Sequence, residues 1–281
     1  MATMSNRYDL HTHSLRSDGT TTPAAIAEEA ASIGLAGFAL TDHDTVEGWN
    51  EAREAAARVG IEFMPGIEIT TKHEYRSTHL LAYGIEPDSP KLTAALARVR
   101  ESRHGRAKEM VLRLAVDFDI DWGSVIEGGE DRTLGRPHIA DALVNAGYYA
   151  DRGAAFAEVL HPRSPYYVPT YAIETVDAIR MVQDAGGLAV LAHPAAGRMT
   201  RSVDVSALDE FVAAGLWGIE LDHPENRQDW IAPLAAFAKS NGLHITGASD
   251  YHGAGKENRL GECTSSLETW ATIRSLVAVP R

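Results

Sequence analysis

Residues 9–19 read DLHTHSLRSDG, in which His11 and His13 flank one threonine and Asp18 follows five residues after His13. The stretch begins on a short apolar run, Tyr8 to Leu10, and ends on polar residues and a glycine. The run reads as a strand, and the polar end as the loop leaving it. Side chains at i and i+2 of a strand point to the same side, so His11 and His13 can grip one ion together. The same device recurs along the chain. LAGFALTDHD (35–44) ends in Asp42, His43 and Asp44, and IEFMPGIEIT (61–70) carries Glu68. STHLLAYGI (77–85) carries His79, LAVLAHP (188–194) carries His193, and HITGASDYHG (244–253) carries Asp250 and His252.

Between these strands lie Ala-rich helical patterns. In TPAAIAEEAASIG (22–34), Thr22 serves as N-cap, Pro23 as first helical residue and Gly34 as stop. VEGWNEAREAAARVG, IETVDAIRMVQDAGG, VSALDEFVAAG and WIAPLAAFAKSNG read as further helices, and WGIELDHP (217–224) as another strand. Repeated β-α units imply a parallel sheet covered by helices. About seven strands in this order fit a closed or nearly closed α/β barrel, whose functional residues gather at the carboxyl ends of its strands. The region of about 88–168 breaks the rhythm with charged helical segments and with EGGED and HPRSPYYVP as loops. It reads as an all-helical insertion after the fourth strand. The expected division is a barrel of 1–88 and 169–281 with an inserted domain of 89–168.

The chain has 281 residues, enough for one large domain or a domain with an insertion. Lys and Arg number 26 against 39 Asp and Glu, a net charge of −13 that argues against a broad electrostatic grip on nucleic acid. Bound cations would let such a protein accept phosphate locally. Cys263 is the single cysteine, so no internal disulfide forms; with no apolar leader or membrane-length run, a cytoplasmic location is expected.

Imidazoles suit zinc, iron and manganese, and carboxylates harden a site and bridge ions. A single ion would leave several buried polar groups unsatisfied, whereas two or three would use them all. His73, His104, His161, His223 and His244 read instead as surface or loop residues, His223 being the one that also follows a strand.

Taken in order, DLHTHSLRSDG, LTDHDT, GIEIT, HLLAYG, LAHP and SDYHG resemble the motifs of the PHP family, named for polymerase and histidinol phosphatase domains. The resemblance covers about residues 7–90 and 170–255. It implies a distorted (β/α)7 barrel and a trinuclear centre of divalent ions, manganese first, with iron or zinc as alternatives. Carried over, the first ion takes His11, His13, Glu68 and Asp250; the second takes Glu68, His79 and His193; the third takes Asp18, His43 and His252. Many members carry histidine where Asp18 stands, and a carboxylate there favours a harder ion such as Mn²⁺.

The segment GRPHIA (135–140) is similar to that of stand-alone members acting on nucleoside 3′,5′-bisphosphates or trimming short RNA in the 5′-to-3′ direction. That likeness implies phosphate contacts from Arg136 and His138; an arginine fork matches a phosphate. Alternatively Arg136 starts a helix or pairs with Asp141. Arg103 and Arg106, one turn apart, offer a second phosphate contact or a solvated face. The implied chemistry is hydrolysis of a nucleotide phosphomonoester by a metal-bridging hydroxide. Arg136 would offset phosphoryl charge, and His193 or His252 would protonate the leaving oxygen. The partners expected are a nucleotide substrate giving an AMP-like product and short RNA, with no duplex DNA and no membrane. Three rivals are a histidinol phosphate phosphatase on the same ligands, a metal-dependent amidohydrolase, for which no suitable lysine stands at a strand end, and a non-catalytic PHP scaffold. GxSxG and P-loop motifs are absent.

Overall fold

The computed structural model describes residues 6–74, 76–127, 129, 132–196 and 203–277. The chain begins β1 (Arg7–Asp9), α1 (Pro23–Ser32), β2 (Gly37–Leu40), α2 (Trp49–Val59), β3 (Glu62–His73), β4 (Arg76–Tyr83). Four helices follow: α3 (Pro90–Leu114), α4 (Trp122–Val125), α5 (Arg136–Asn145) and α6 (Arg152–Ala157). Then come β5 (Ile173–Glu174), α7 (Thr175–Asp184), β6 (Leu188–Leu191), α8 (Val205–Ala214) and β7 (Gly218–Asp222). The chain finishes with α9 (Gln228–Ser240), β8 (His244–Gly247), β9 (Ser265–Ser266) and α10 (Leu267–Leu276). Local chemistry sets many of these bounds. The Thr22 hydroxyl accepts the Ala25 N–H at 3.1 Å to start α1, Pro23 takes the first helical position, and Gly34 leaves at φ +78°.

The sheet runs β8-β7-β6-β4-β3-β2-β1-β9, with β5 beside β3. Pairing is parallel along β1-β2-β3 and β6-β7-β8, but β4 runs antiparallel to both β3 and β6. This corrects the expectation of a wholly parallel sheet. β3 ends at His73 and β4 begins at Arg76, and so short a link makes a hairpin because a parallel return needs a crossover. At the carboxyl end the barrel closes where Thr12 bridges Tyr251, the His13 N–H donating to the Tyr251 carbonyl at 2.8 Å. The structure is thus a distorted, nearly closed α/β barrel, with seven main strands.

Tyr8, Leu10, Ala39, Met64, Leu81, Tyr83 and Val190 fill the barrel, and Trp270 of α10 plugs its lower end by stacking on Tyr8 at 4.5 Å. A larger apolar layer, with Ile26, Phe38, Ile69, Ile179 and Phe211, joins the sheet to its outer helices. Met110, Leu114, Ile139, Leu143 and Leu160 form a third cluster among α3, α5 and the chain after α6. Among the described residues no helix is long and apolar enough to cross a membrane.

Candidate metal centre

The carboxyl ends of the parallel strands, the loops leaving them and the amino half of antiparallel β4 bring nine ligand-type side chains together. His11 and His13 turn their Nε2 atoms to within 3.0 Å of each other. Both face Glu68 Oε2, at 3.3 and 3.1 Å, and Asp250 Oδ1, at 3.4 Å. On the other side of Glu68, Oε1 meets His79 Nδ1 at 2.7 Å and His193 Nε2 at 3.0 Å. Asp18 faces His252 Nε2 at 3.2 Å and His43 Nε2 at 3.7 Å, while His43 Nδ1 reaches Glu68 Oε2 at 3.2 Å. Non-glycine residues in the left-handed region support this rim: Asp44 at φ 55°, His193 at 28° and Asp250 at 54°. Each holds a conformation costing on the order of 1–3 kcal/mol, which the surrounding structure must impose.

Hydrogen bonds at the back of the rings leave particular nitrogens inward. A carboxylate only accepts, so His11 Nδ1–H donates to Glu220 Oε1 at 3.0 Å, leaving the Nε2 lone pair inward. His252 Nδ1–H donates to its own Asp250 carbonyl at 2.8 Å, again freeing Nε2. His13 Nδ1 lies 3.4 Å from Ser17 Oγ, whose own proton goes to Asp42 Oδ1 at 2.6 Å. Inward lone pairs on histidines facing carboxylates are a cation-binding donor set. His43 Nδ1, His79 Nδ1 and Asp250 Oδ1 are buried without a hydrogen bond although each lies within 3.5 Å of a partner of opposite chemistry. Buried polar atoms left so are costly unless something else satisfies them, and a divalent ion would. Among the described residues the donors fall into four sets whose atoms lie within 4.8 Å of one another: His11, His13, Glu68, Asp250; His13, Asp18, His43, His252; His43, Glu68, His79; and His11, Glu220, His223. The residues present therefore fit several ions.

The electrostatics show carboxylates that draw positive charge into the cage, as a proton on His11 or as a cation in its place. Burial by itself would raise the carboxylates, yet the facing imidazoles hold Glu68 and Asp18 well below the ordinary range. Lys256 and His11 do the same for Asp250. Burial acts against charge on His43 and holds it well below the usual imidazole value. On His11 the surrounding Glu220, Asp250 and Glu68 outweigh burial and raise it.

Several expected contacts are placed elsewhere. His138 is buried with both nitrogens used: Nδ1 accepts the Gly135 N–H at 3.0 Å and Nε2–H donates to the Ser17 carbonyl at 2.9 Å. It is a strut, with no nitrogen left for phosphate. Arg103 is buried rather than solvated, and donates to Asp44 Oδ2, Thr70 Oγ1 and the Leu134 carbonyl at 3.3, 2.8 and 3.1 Å. That commitment to the barrel replaces the phosphate contact expected of it. Arg136 starts α5, donates to the Leu160 carbonyl at 3.0 Å and lies against the Phe156 and Tyr167 rings. Asp141 pairs with Arg152. His252 spends its one N–H on a carbonyl, so it has no proton directed at a leaving group.

Sequence reading missed Glu220 and misplaced His223. Glu220 is fully buried, orients His11 through Oε1 and accepts the His193 N–H through Oε2 at 2.8 Å. Its signal was a lone carboxylate inside the apolar run GIEL. His223 is buried, not a surface residue. The Glu225 N–H donates to its Nδ1 at 3.0 Å, so the proton sits on Nε2, 3.5 Å from Asp250 Oδ2. That Nε2 is buried without a hydrogen-bond partner, and with His11 and Glu220 it forms a further set of ligand-type atoms. A separate cavity of about 350 Å³ lies at the amino end of β6–β8, lined by Gln183, Trp217 and His244, and carries no carboxylate.

The PHP domain family model matches residues 9–113. Over 256 residues the chain is 36% identical to the 3′,5′-nucleoside bisphosphate phosphatase of Chromobacterium violaceum, covering 89% of each protein. This chain belongs to the PHP family. The PHP chain is also 33% identical over 252 residues to the 5′-3′ exoribonuclease of Haemophilus influenzae, covering 89% of this chain and 91% of that one. The crystal structure of a protein assigned as a metal-dependent phosphoesterase from Bifidobacterium adolescentis matches it with a TM-score of 0.94 at 41% identity, over 96% of each chain. The PHP chain is a metal-dependent phosphoesterase.

Proposed function

We propose that this enzyme removes the 3′-phosphate from nucleoside 3′,5′-bisphosphates, leaving an AMP-like product, and trims short 5′-phosphorylated RNA. Its cofactor in this reading is a cluster of two or three divalent ions, manganese before iron or zinc. His11, His13, Glu68 and Asp250 hold the first, Glu68, His79 and His193 the second, and Asp18, His43 and His252 the third. Residues 89–168 serve as an inserted domain and 1–88 with 169–281 as the barrel. The cytoplasm is its compartment, where a single Cys263 stays reduced.

The observation carrying the substrate class is Arg106. It lies one turn beyond Arg103 on α3, is buried, and its Nε has no hydrogen-bond partner. Among the described residues no carboxylate pairs with it. Burial, then Arg103 and Arg136, push it down to about 9, which marks three guanidiniums crowded in one region. An unpaired buried cation calls for an anion. Arg103 ties this region to Asp44, beside His43, so the arginines sit next to the ligand cage. One phosphate at the cage and a second at Arg106 describe a bisphosphate.

Bound divalent ions supply Lewis acidity toward phosphoryl oxygens and a water activated at neutral pH. The chain's own residues orient the parts. Glu220 fixes the His11 ring and Ser17 the His13 ring, while Asp42 accepts from Ser14 and Ser17 and holds the strap between them. The guanidiniums of Arg106 and Arg136 offset the substrate's second phosphate.

The test is release of inorganic phosphate by manganese-loaded protein from adenosine 3′,5′-bisphosphate, 5′-phosphorylated short RNA, histidinol phosphate and an aryl phosphate. The bisphosphate is expected to lead. Arg106→Met should raise its KM about 10–100-fold, the loss of one charge-assisted hydrogen bond, with ion content unchanged. His11→Ala should abolish turnover. Equal turnover of histidinol phosphate and bisphosphate would overturn the substrate assignment.

A further inference from the structure

The segment from Ser14 to Gly19 links the first two ligands to Asp18, and it is gripped from both sides. On the barrel side, the Ser14 N–H and hydroxyl donate to Asp42 at 2.8 and 2.7 Å, and the Ser17 hydroxyl joins them at 2.6 Å. Gly19 lies so close to the His13 carbonyl that a Cβ there would come within 2.3 Å of it. On the other side, three successive carbonyls accept donors from the chain between α4 and α6. Arg16 O takes the Thr133 N–H at 2.9 Å, Ser17 O takes His138 Nε2–H at 2.9 Å, and Asp18 O takes Arg152 Nη1–H at 3.0 Å.

The donors are themselves fixed. His138 is locked by the Gly135 N–H. Arg152 binds both oxygens of Asp141 on α5, at 2.6 and 2.7 Å. Its guanidinium also packs on Gly255, where a Cβ would come within 2.3 Å of Nη1. Arg152 thus touches the loop after His252 as well as Asp18, two of the three places in the chain that supply the third set of ligands, His43 after β2 being the other. Gripping three carbonyls in a row fixes the path of the backbone, and so the direction from which the Asp18 carboxylate enters.

We infer that α5 and α6 set the occupancy of the third ion, with Arg152 and His138 as positioning residues acting through the Asp18 backbone. The inference rests on the ion centre proposed above. Ligands held by outer partners typically lose 10–100-fold in metal affinity when the partner is removed. The effect here is local, because His11, Glu68, His79 and Asp250 receive nothing from these helices.

The experiment counts ions by elemental analysis and measures their dissociation constants by chelator competition on manganese-loaded full-length protein. Arg152→Met should weaken one ion about 10–100-fold and leave the others within about twofold. Arg152→Lys, which keeps a donor, should recover part of the loss. Asp141→Asn loosens the anchor without touching the strap and should act in the same direction more weakly. It also carries the test if Arg152→Met does not fold. Manganese electron paramagnetic resonance reads the same loss as a changed spin-coupled signal, which a general loss of stability would not produce. Wild-type constants for every ion in both Arg152→Met and Asp141→Asn would overturn the inference. A wild-type protein that binds no ion would instead overturn the proposed centre itself.

Discussion

Glu220 shows how one side chain does two tasks. Its Oε1 fixes the His11 tautomer while Oε2 holds the His193 backbone, so two candidate ligands on different strands share one buried carboxylate. Glu220→Gln keeps the volume and removes the charge. Metal affinity should fall about 10–100-fold, read by chelator competition, with little change in KM at saturating metal. His138 gives a pH-dependent counterpart. Burial first, then Arg132, push its imidazole down to about 4 from the ordinary 6.5. The folded-state value is depressed, so its stability contribution is complete above about pH 6.5 and is lost as pH falls toward 4. The loss is about 3 kcal/mol, and His138→Gln should flatten that part of the pH profile of chemical unfolding.

At the scale of elements, α3 is joined to the barrel by a buried ion pair. Arg103 and Asp44 are both almost fully buried and 3.3 Å apart, and Asp44 also accepts the Thr70 N–H and hydroxyl at 2.7 and 2.6 Å. Removing one member leaves the other charge buried alone, so Asp44→Ala should cost about 3–5 kcal/mol in urea denaturation. Asp42 and Asp44 were legible as carboxylates at a strand end, but their task was not. Asp42 is consumed by amide and hydroxyl donors of the loop after β1, and Asp44 by Thr70 of β3 and Arg103 of α3, and only contacts between elements reveal that. The reversed direction of β4 has a local cause, the short link after β3. The burial of Arg103 and Arg106 does not, because their helix face becomes interior only once the chain around Leu134 packs on it.

For the whole molecule, the centre gathers Asp18, Glu68, Glu220 and Asp250 in a protein already carrying a net charge of −13. Cations that bind only the folded state stabilise it by mass action. At a free concentration of 100 times the dissociation constant, one ion contributes about 2.7 kcal/mol. Stripping the ions with a chelator should lower Tm by about 5–10 °C for each ion bound at that excess, and restoring manganese should reverse it.

The residue types and their spacing determined the barrel's sequence of elements and put histidines and carboxylates at its strand ends, and the family resemblance narrowed these to nine candidate ligands. Strand periodicity is local, and ligand chemistry belongs to the side chain whatever its surroundings. Tertiary structure alone decided which nitrogen of each histidine faces inward, that His138 and Arg103 are struts, and that Glu220 and His223 join the buried cluster. Those roles are properties of contacts between residues far apart in the chain, as with the 209 positions separating His11 from Glu220, and no local pattern encodes them.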